Sequence, residues 1–235
     1  MRESKRILLI ITAIVVLLIG IILFYYSPAL TMNVAKTGQV NNTDIFTVKN
    51  GMGNMFFIKT GNGYILIDAG LDSKGLEKTL KDAGIKAGDV RWIFLTHSDA
   101  DHTGTLPLFK NAVIHMSDDE FCLIDGTAVR MLFMKNAMPR GIDIGKIVLL
   151  GSGQKLSLNG TEIECIKAPG HTAGSMMYRI DGKYLFTGDA FRIRNGNIGV
   201  HPYTMNSNQS RETIEKSKKI IDNSRIVLTS HYGLH

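Results

Sequence analysis

Four side chains able to bind a metal stand within six residues in Leu-Thr-His-Ser-Asp-Ala-Asp-His-Thr-Gly, from Leu95 to Gly104: His97, Asp99, Asp101 and His102. Residues two apart on an extended loop project to the same side, so His97, Asp99 and Asp101 can converge while His102 points elsewhere. That split suits two neighbouring cation positions better than one. Without a metal, the same residues would read as a polar turn with Asp and His caps. Four of them at this spacing favour the metal. Trp92 to Leu95 lead in like a buried strand that closes at Thr96. The cluster therefore lies on a loop at a strand's C-terminal end, where scaffolds of strands and helices usually carry their chemistry.

Three later residues share that placement: His171 after Ala-Pro-Gly, Asp189 after Thr-Gly, and His231 after Thr-Ser. Each follows a predicted strand. Taken singly, each could be a cap or a turn residue. With the first cluster they make seven candidate ligands, enough for two ions and a bridging water. Asp68, at the end of another predicted strand, is expected to support the metal loop by hydrogen bonding. His201, in Gly-Val-His-Pro, follows the Asp189 loop and is expected at the mouth of the site as a substrate-pocket residue. His115 lies within an apolar strand and reads as structural, and His235 is terminal.

The elements that position these residues can be taken in chain order. Ile45–Val48 starts the strands. Met55–Lys59 and Tyr64–Asp68 flank Thr-Gly-Asn-Gly, a hairpin signal because Gly and Asn tolerate positive φ. Asp72 or Ser73 can cap a helix reaching Ala83, with Leu76 and Leu80 one turn apart. A short helix over 102–110, a strand over Ala112–Met116, a segment capped by Ser117 and a helix over Thr127–Asn136 follow. Met131, Met134 and Met138 read as packing, with the wall of an apolar substrate pocket as the alternative. Strands with Gly-Ser-Gly and Asn-Gly turns fill 147–167. A hairpin about Asp181-Gly182, a helix from Ser207 or Ser210 to Asp222, and a strand over Ile226–Thr229 complete the chain. Strands, helices, strands and helices in that order suit two packed sheets flanked by helices better than a doubly wound sheet.

The 235 residues are 44% hydrophobic, enough for one sizeable domain with its own core. Ile7 to Tyr26 is a 20-residue run without a charge, preceded by Arg2, Lys5 and Arg6. About 20 helical residues cross a bilayer core. Basic residues on the short leading side keep that end in the cytoplasm and place the rest outside. The expected organisation is a membrane anchor over 1–26, a linker over 27–43 and a catalytic domain over 44–235. Ser27-Pro28-Ala29 offers small residues for a signal-peptide cleavage, which would make the domain secreted. The formal charge is +6; setting aside the leading segment's three basic residues and one acidic residue leaves +4. Lys216, Lys218 and Lys219 look like the wet face of a helix with no interleaved aromatics, so nucleic-acid binding is not supported. Cys122 and Cys165 both read as small buried apolar residues; a disulfide between them cannot be read from sequence.

From Ile45 onward the chain resembles the metallo-β-lactamase superfamily. The pieces that carry the likeness are Thr96–His102, Gly170-His171-Thr172, Thr187-Gly188-Asp189, Ser230-His231 and the hairpin end Ile67-Asp68-Ala69-Gly70. The resemblance implies a mixed α/β fold, a four-layer αβ/βα sandwich, here preceded by one transmembrane helix. It assigns His97, position 99 and His171 to a first metal, Asp101, His102 and His231 to a second, and makes Asp189 the bridge. Asp99 departs from the pattern, which usually has His there. A carboxylate is harder, charged and shorter than an imidazole, which favours iron or manganese relative to zinc. It reaches the first metal only if the loop draws in, or through water. Carboxylate variants occur in the superfamily, among them diiron flavoproteins with Glu at this position. Two zinc ions remain the expected cofactors, with iron or manganese as alternatives, because no flavin domain is appended.

The expected activity is metal-dependent hydrolysis. A metal-bound hydroxide would attack an ester, lactone, thioester, amide or phosphodiester of a small molecule, with Asp101 orienting it and handling the proton. Two other classes are an iron-dependent redox enzyme of the same fold and a noncatalytic surface-anchored binding module. The complete ligand set argues against the last of these.

Overall fold

The structure is a computed structural model that describes residues 2–130 and 135–235. It divides into two compact units, Met1–Met32 and Asn33–His235. The first holds helix α1, Arg2–Tyr26, followed by a 3-10 turn over Ser27–Thr31. The span within Lys5–Thr31 is long and apolar enough to cross a membrane, and none of it is buried.

The second unit is built on two sheets. The first contains β1 (Gly38–Gln39), β2 (Ile45–Asn50), β3 (Gly53–Thr60), β4 (Gly63–Ile67), β5 (Val90–Phe94), β6 (Val113–Ser117) and β7 (Val148–Leu150), in that spatial order. Helices α2 (Leu76–Asp82), α3 (Ala100–Thr103) and α4 (Asp118–Ile124) fall between them in sequence. The strands are antiparallel from β1 to β4 and parallel from β4 to β7. The second sheet is formed by β8 (Lys155–Leu158), β9 (Thr161–Lys167), β10 (Met176–Ile180), β11 (Tyr184–Gly188), β14 (Ile226–Thr229) and β15 (Gly233–Leu234). Its spatial order is β15-β14-β11-β10-β9-β8, with β11 and β14 parallel. A ribbon of β12 (Arg192–Arg194) and β13 (Asn197–Gly199) and helix α5 (Ser207–Asp222) precede β14 in the chain.

The period-2 geometry of a strand explains how one sequence fills three apolar layers. Phe56, Ile65, Ile67 and Phe94 from the first sheet meet Met176, Tyr178, Phe186 and Leu228 from the second in a central core. The alternate residues Met55, Phe57, Leu66 and Ile93 face outward onto Leu76 and Leu80 of α2. Met177, Leu185 and Val227 face the other way onto Ile214, Ile220 and Ile221 of α5. The layers therefore run helix, sheet, sheet, helix. Phe56 meets Phe186 edge-on at 5.3 Å, and Phe94 meets Tyr178 at 5.2 Å, which ties the sheets together.

Several local expectations change. The described parts of 127–136 are not helical; Met131 and Met134 lie outside the described residues, and Met138 packs against the outer core of the first sheet. The Asp125 carboxylate accepts from Thr127 N and Oγ1 at 2.8 and 2.7 Å, a turn that ends α4 and competes with helix. The expected helix over 102–110 is four residues, Ala100–Thr103, plus a 3-10 turn over Leu106–Leu108. Gly75, not Asp72 or Ser73, precedes α2, and Ser117 at the head of α4 makes no side-chain cap bond. Asn206, rather than either serine, caps α5 by accepting from Asn208 N and Gln209 N. Cys122 is exposed, not buried, and both cysteines are free thiols. Lys216, Lys218 and Lys219 are exposed, and Lys216 and Lys218 pair with Glu212 and Glu215 on the wet face of α5. His115 is buried and stacks on Phe94 at 4.5 Å, in line with a structural role.

Candidate metal centre

The site lies where five strand ends meet. Asp68 follows β4, His97 follows β5, His171 follows β9, Asp189 follows β11 and His231 follows β14. Cross-sheet bonds fasten this edge. Met176 N donates to Thr96 O at 2.8 Å, Tyr178 OH to Leu95 O at 2.7 Å, and Asn54 N to Ser230 O at 2.9 Å. Gly188 has φ +52°, and a Cβ there would strike the Thr96 side chain, so the β11 loop needs glycine to approach the β5 loop.

All seven predicted ligands come together. Asp189 is the hub: its Oδ2 lies 3.2 Å from His231 Nε2, 3.5 Å from His171 Nε2, 3.7 Å from His102 Nε2 and 4.0 Å from His97 Nε2. His201 Nε2 joins them at 3.6 Å. His201 is thus not a rim residue of a substrate pocket but a buried member of the cluster, drawn in because its loop packs under His171 and His231. Asp99 Oδ2 is 3.5 Å from His97 Nε2, and Asp101 Oδ2 is 3.3 Å from His231 Nε2. The imidazoles and Asp189 are buried, whereas the Asp99 and Asp101 side chains keep 21% and 30% of their surface, marking the open side.

Second contacts aim the rings. The Asp68 carboxylate accepts from Thr96 N at 2.8 Å and Thr96 Oγ1 at 2.9 Å, and lies 2.8 Å from His102 Nδ1. Asp68 holds this position with φ +57°, a left-handed conformation rare outside glycine. His231 Nδ1 faces Met52 O at 2.6 Å and His201 Nδ1 faces Pro202 O at 2.7 Å. A carbonyl or carboxylate opposite Nδ1 fixes the proton there and leaves the Nε2 lone pair facing the centre. Nε2 of His97, His102 and His201 and Oδ1 of Asp189 are buried with no hydrogen-bond partner among the described residues. Buried polar atoms rarely remain so, and a ring of such atoms around a carboxylate fits a divalent cation. Nitrogen and oxygen donors without sulfur suit zinc, iron or manganese alike.

Charge follows the same geometry. Against burial, His102 and His231 hold the Asp101 carboxyl well below the usual range. Asp189 is likewise held far below it by His201, His231 and His102. Burial pushes the His201 imidazole down to about 3, against Asp189, which keeps that ring neutral.

Three residues escape sequence reasoning. Arg130, 6% exposed on its side chain, grips Asp99 with Nε to Oδ1 and Nη2 to Oδ2, both at 2.8 Å. Asn136 Nδ2 donates to the same Oδ1 at 2.9 Å. Glu120, fully buried, accepts from Ser98 N at 2.8 Å and Ser98 Oγ at 2.6 Å, and from Thr172 Oγ1 at 2.5 Å. The signal for Arg130 is a lone cation in an apolar stretch, paired with a carboxylate where histidine is expected.

The family model of the metallo-beta-lactamase superfamily matches residues 48–231. The chain belongs to that superfamily. Among its relatives, Probable metallo-hydrolase of Methanocaldococcus jannaschii is 28% identical over 157 residues, 67% of this chain and 64% of that protein. Probable polyketide biosynthesis zinc-dependent hydrolase of Bacillus subtilis is 30% identical over 128 residues, 53% of this chain and 48% of its own length. This superfamily member thus spans less than two thirds of either relative. The solved structure of a beta-lactamase from Chitinophaga pinensis superposes with a TM-score of 0.65 at 22% identity, covering 84% of this chain and 78% of that one, which shows the shared fold.

Proposed function

We propose that the second unit is a metal-dependent hydrolase of a small molecule bearing an ester, lactone, thioester, amide or phosphodiester bond. The observation that carries this is the ring of inward-facing imidazoles around the buried Asp189 carboxylate. The metal-hydrolase names of the two relatives support the reaction class, and the words zinc-dependent in one of those names support zinc.

Asp101, His102 and His231 would hold one ion and His97, Asp99 and His171 form the other candidate position, with Asp189 between them. Bound there, a divalent metal acidifies a coordinated water and acts as a Lewis acid. The chain's own residues do the remaining work. Asp101, the part-exposed carboxylate, would accept a hydrogen bond from the attacking water and orient it, take the proton that water gives up, and pass it to the leaving group. Asp68 holds His102 in place, and the neutral His201 flanks Asp189. The test screens the full chain and its Asp101→Ala variant against those substrate classes, beside metal analysis of protein purified without added metal. Hydrolysis lost in the variant is expected. Unchanged hydrolysis in the variant, or tightly held iron with oxygen consumption, removes the proposal.

We further propose that α1 anchors this unit outside the cytoplasmic membrane, from its apolar length and the basic residues before it. The mass of the mature protein decides: the full chain supports an anchor, and loss of about the first 26–29 residues means a cleaved signal.

A further inference from the structure

We propose that the Arg130 guanidinium is the resident cation of the first metal position, so that the chain holds one divalent ion, on the Asp101–His102–His231 side, rather than two. This rests on the metal-dependent reading above and adds the number of ions and the reason for it.

The first position consists of His97, Asp99 and His171 around Asp189. Two of its three own donors are engaged. Both Asp99 oxygens accept from Arg130, and one accepts from Asn136 as well. Arg130 Nη2 also lies 3.1 Å from His171 Nε2 in donor geometry. An imidazole nitrogen has one lone pair, so His171 Nε2 can accept from the guanidinium or ligate a metal, not both. The far nitrogen tells the same story. His102, His231, His201 and His97 each present Nδ1 to an oxygen, whereas His171 Nδ1 is buried with no partner among the described residues. No outward acceptor therefore aims His171 Nε2 as a ligand.

Arg130 is held in place. Its Nη2 donates to Tyr203 O at 3.1 Å, and the side chain is nine-tenths buried. A bidentate guanidinium–carboxylate pair is geometrically specific and permanently charged. A divalent ion bound to Asp99 and His171 would face that charge across its own ligands. In place of the imidazole usual at position 99, this chain thus carries a carboxylate and supplies its counter-charge from Arg130. None of these conflicts arises on the other side, where no lysine or arginine contacts Asp101 and no donor other than an imidazole contacts Asp189 among the described residues.

The experiment measures bound metal, not activity. The full chain in detergent is loaded with excess Zn2+, freed of unbound ion and analysed for metal per chain; a parallel sample is loaded with Mn2+ for electron paramagnetic resonance. One zinc per chain and the spectrum of isolated Mn2+ are expected. Two zinc ions per chain, or a spin-coupled Mn2+ pair, overturn this inference and leave the hydrolase reading standing. No bound metal overturns both. Arg130→Ala frees Asp99 and His171 and is expected to raise the count to two; a folded variant that stays at one refutes the role given to Arg130. If the variant does not fold, the wild-type count still decides.

Discussion

The two halves of the centre use the same residue types, aspartate and histidine, yet two of the three donors on one side, Asp99 and His171, are wired differently from those on the other. On the Asp101–His102–His231 side, both imidazoles turn Nδ1 outward to an oxygen: His102 toward Asp68, His231 toward Met52 O. The inner nitrogens are left for a cation. On the His97–Asp99–His171 side, His97 Nδ1 faces Thr96 Oγ1 at 3.0 Å, but the outward nitrogen of His171 has no partner among the described residues and its inner nitrogen faces Arg130. The loops there are stitched together from within, by Arg130 on Asp99 and by Glu120 on Ser98 and Thr172. Ligand identity alone does not make a metal position; what decides is where each ligand's second contact lies.

The sharpest way to break this contrast is at the two open carboxylates. Asp101→Ala removes both a ligand and the group that handles the proton, and is expected to lower kcat/KM by about 10²–10⁴-fold. Asp99→Asn, which keeps the shape and the hydrogen bonds to Asn136 and one arm of Arg130, is expected to cost less. Equal losses in steady-state kinetics would mean that both sides serve the reaction alike.

Asp68 comes next in size. It never faces the cation, yet it orients His102 and braces Thr96. Asp68→Ala is expected to weaken metal binding about 10–100-fold, the range for losing a partner behind a metal-bound histidine. Competition with a chelator of known affinity reads this directly, and an unchanged affinity would mean that the His102 ring is fixed by packing instead.

Much of this was legible in the chain. The ligands follow strands, and strands declare themselves by apolar runs: Met55–Ile58 and Ile65–Ile67 are buried on both faces, as central strands are. Asp68 was legible as a supporting residue because it ends such a run. Arg130 was not. Its partner is 31 positions away, and an Arg between Val129 and Met131 satisfies a helix pattern as easily as an irregular loop. His201 was seen, but not its depth, because burial there depends on which rings stack around it. The caps of α2 and α5 were misplaced by one to a few residues, since Asp, Asn, Ser and Gly all serve at that position.

The smallest effect separates holding a loop from holding a metal. Glu120 lies behind the β5 and β9 loops as Asp68 lies behind β4, but its carboxylate touches serine and threonine, not imidazole. Glu120→Ala leaves Ser98 N and two hydroxyls without their buried acceptor, which costs about 1–3 kcal/mol of stability. For a unit of this size each kcal/mol lowers Tm by about 2–4 °C. Glu120→Gln should lose less, because the Ser98 and Thr172 hydroxyls can rotate to accept from the new amide. Thermal melts of the metal-loaded protein check both variants, and the same chelator competition supplies the comparison. Metal affinity is expected to hold within about threefold in Glu120→Gln, far short of the Asp68→Ala loss. A loss as large as that one would show that the His97–Asp99–His171 side grips the cation as firmly as the Asp101–His102–His231 side, and the asymmetry drawn from the wiring would fall.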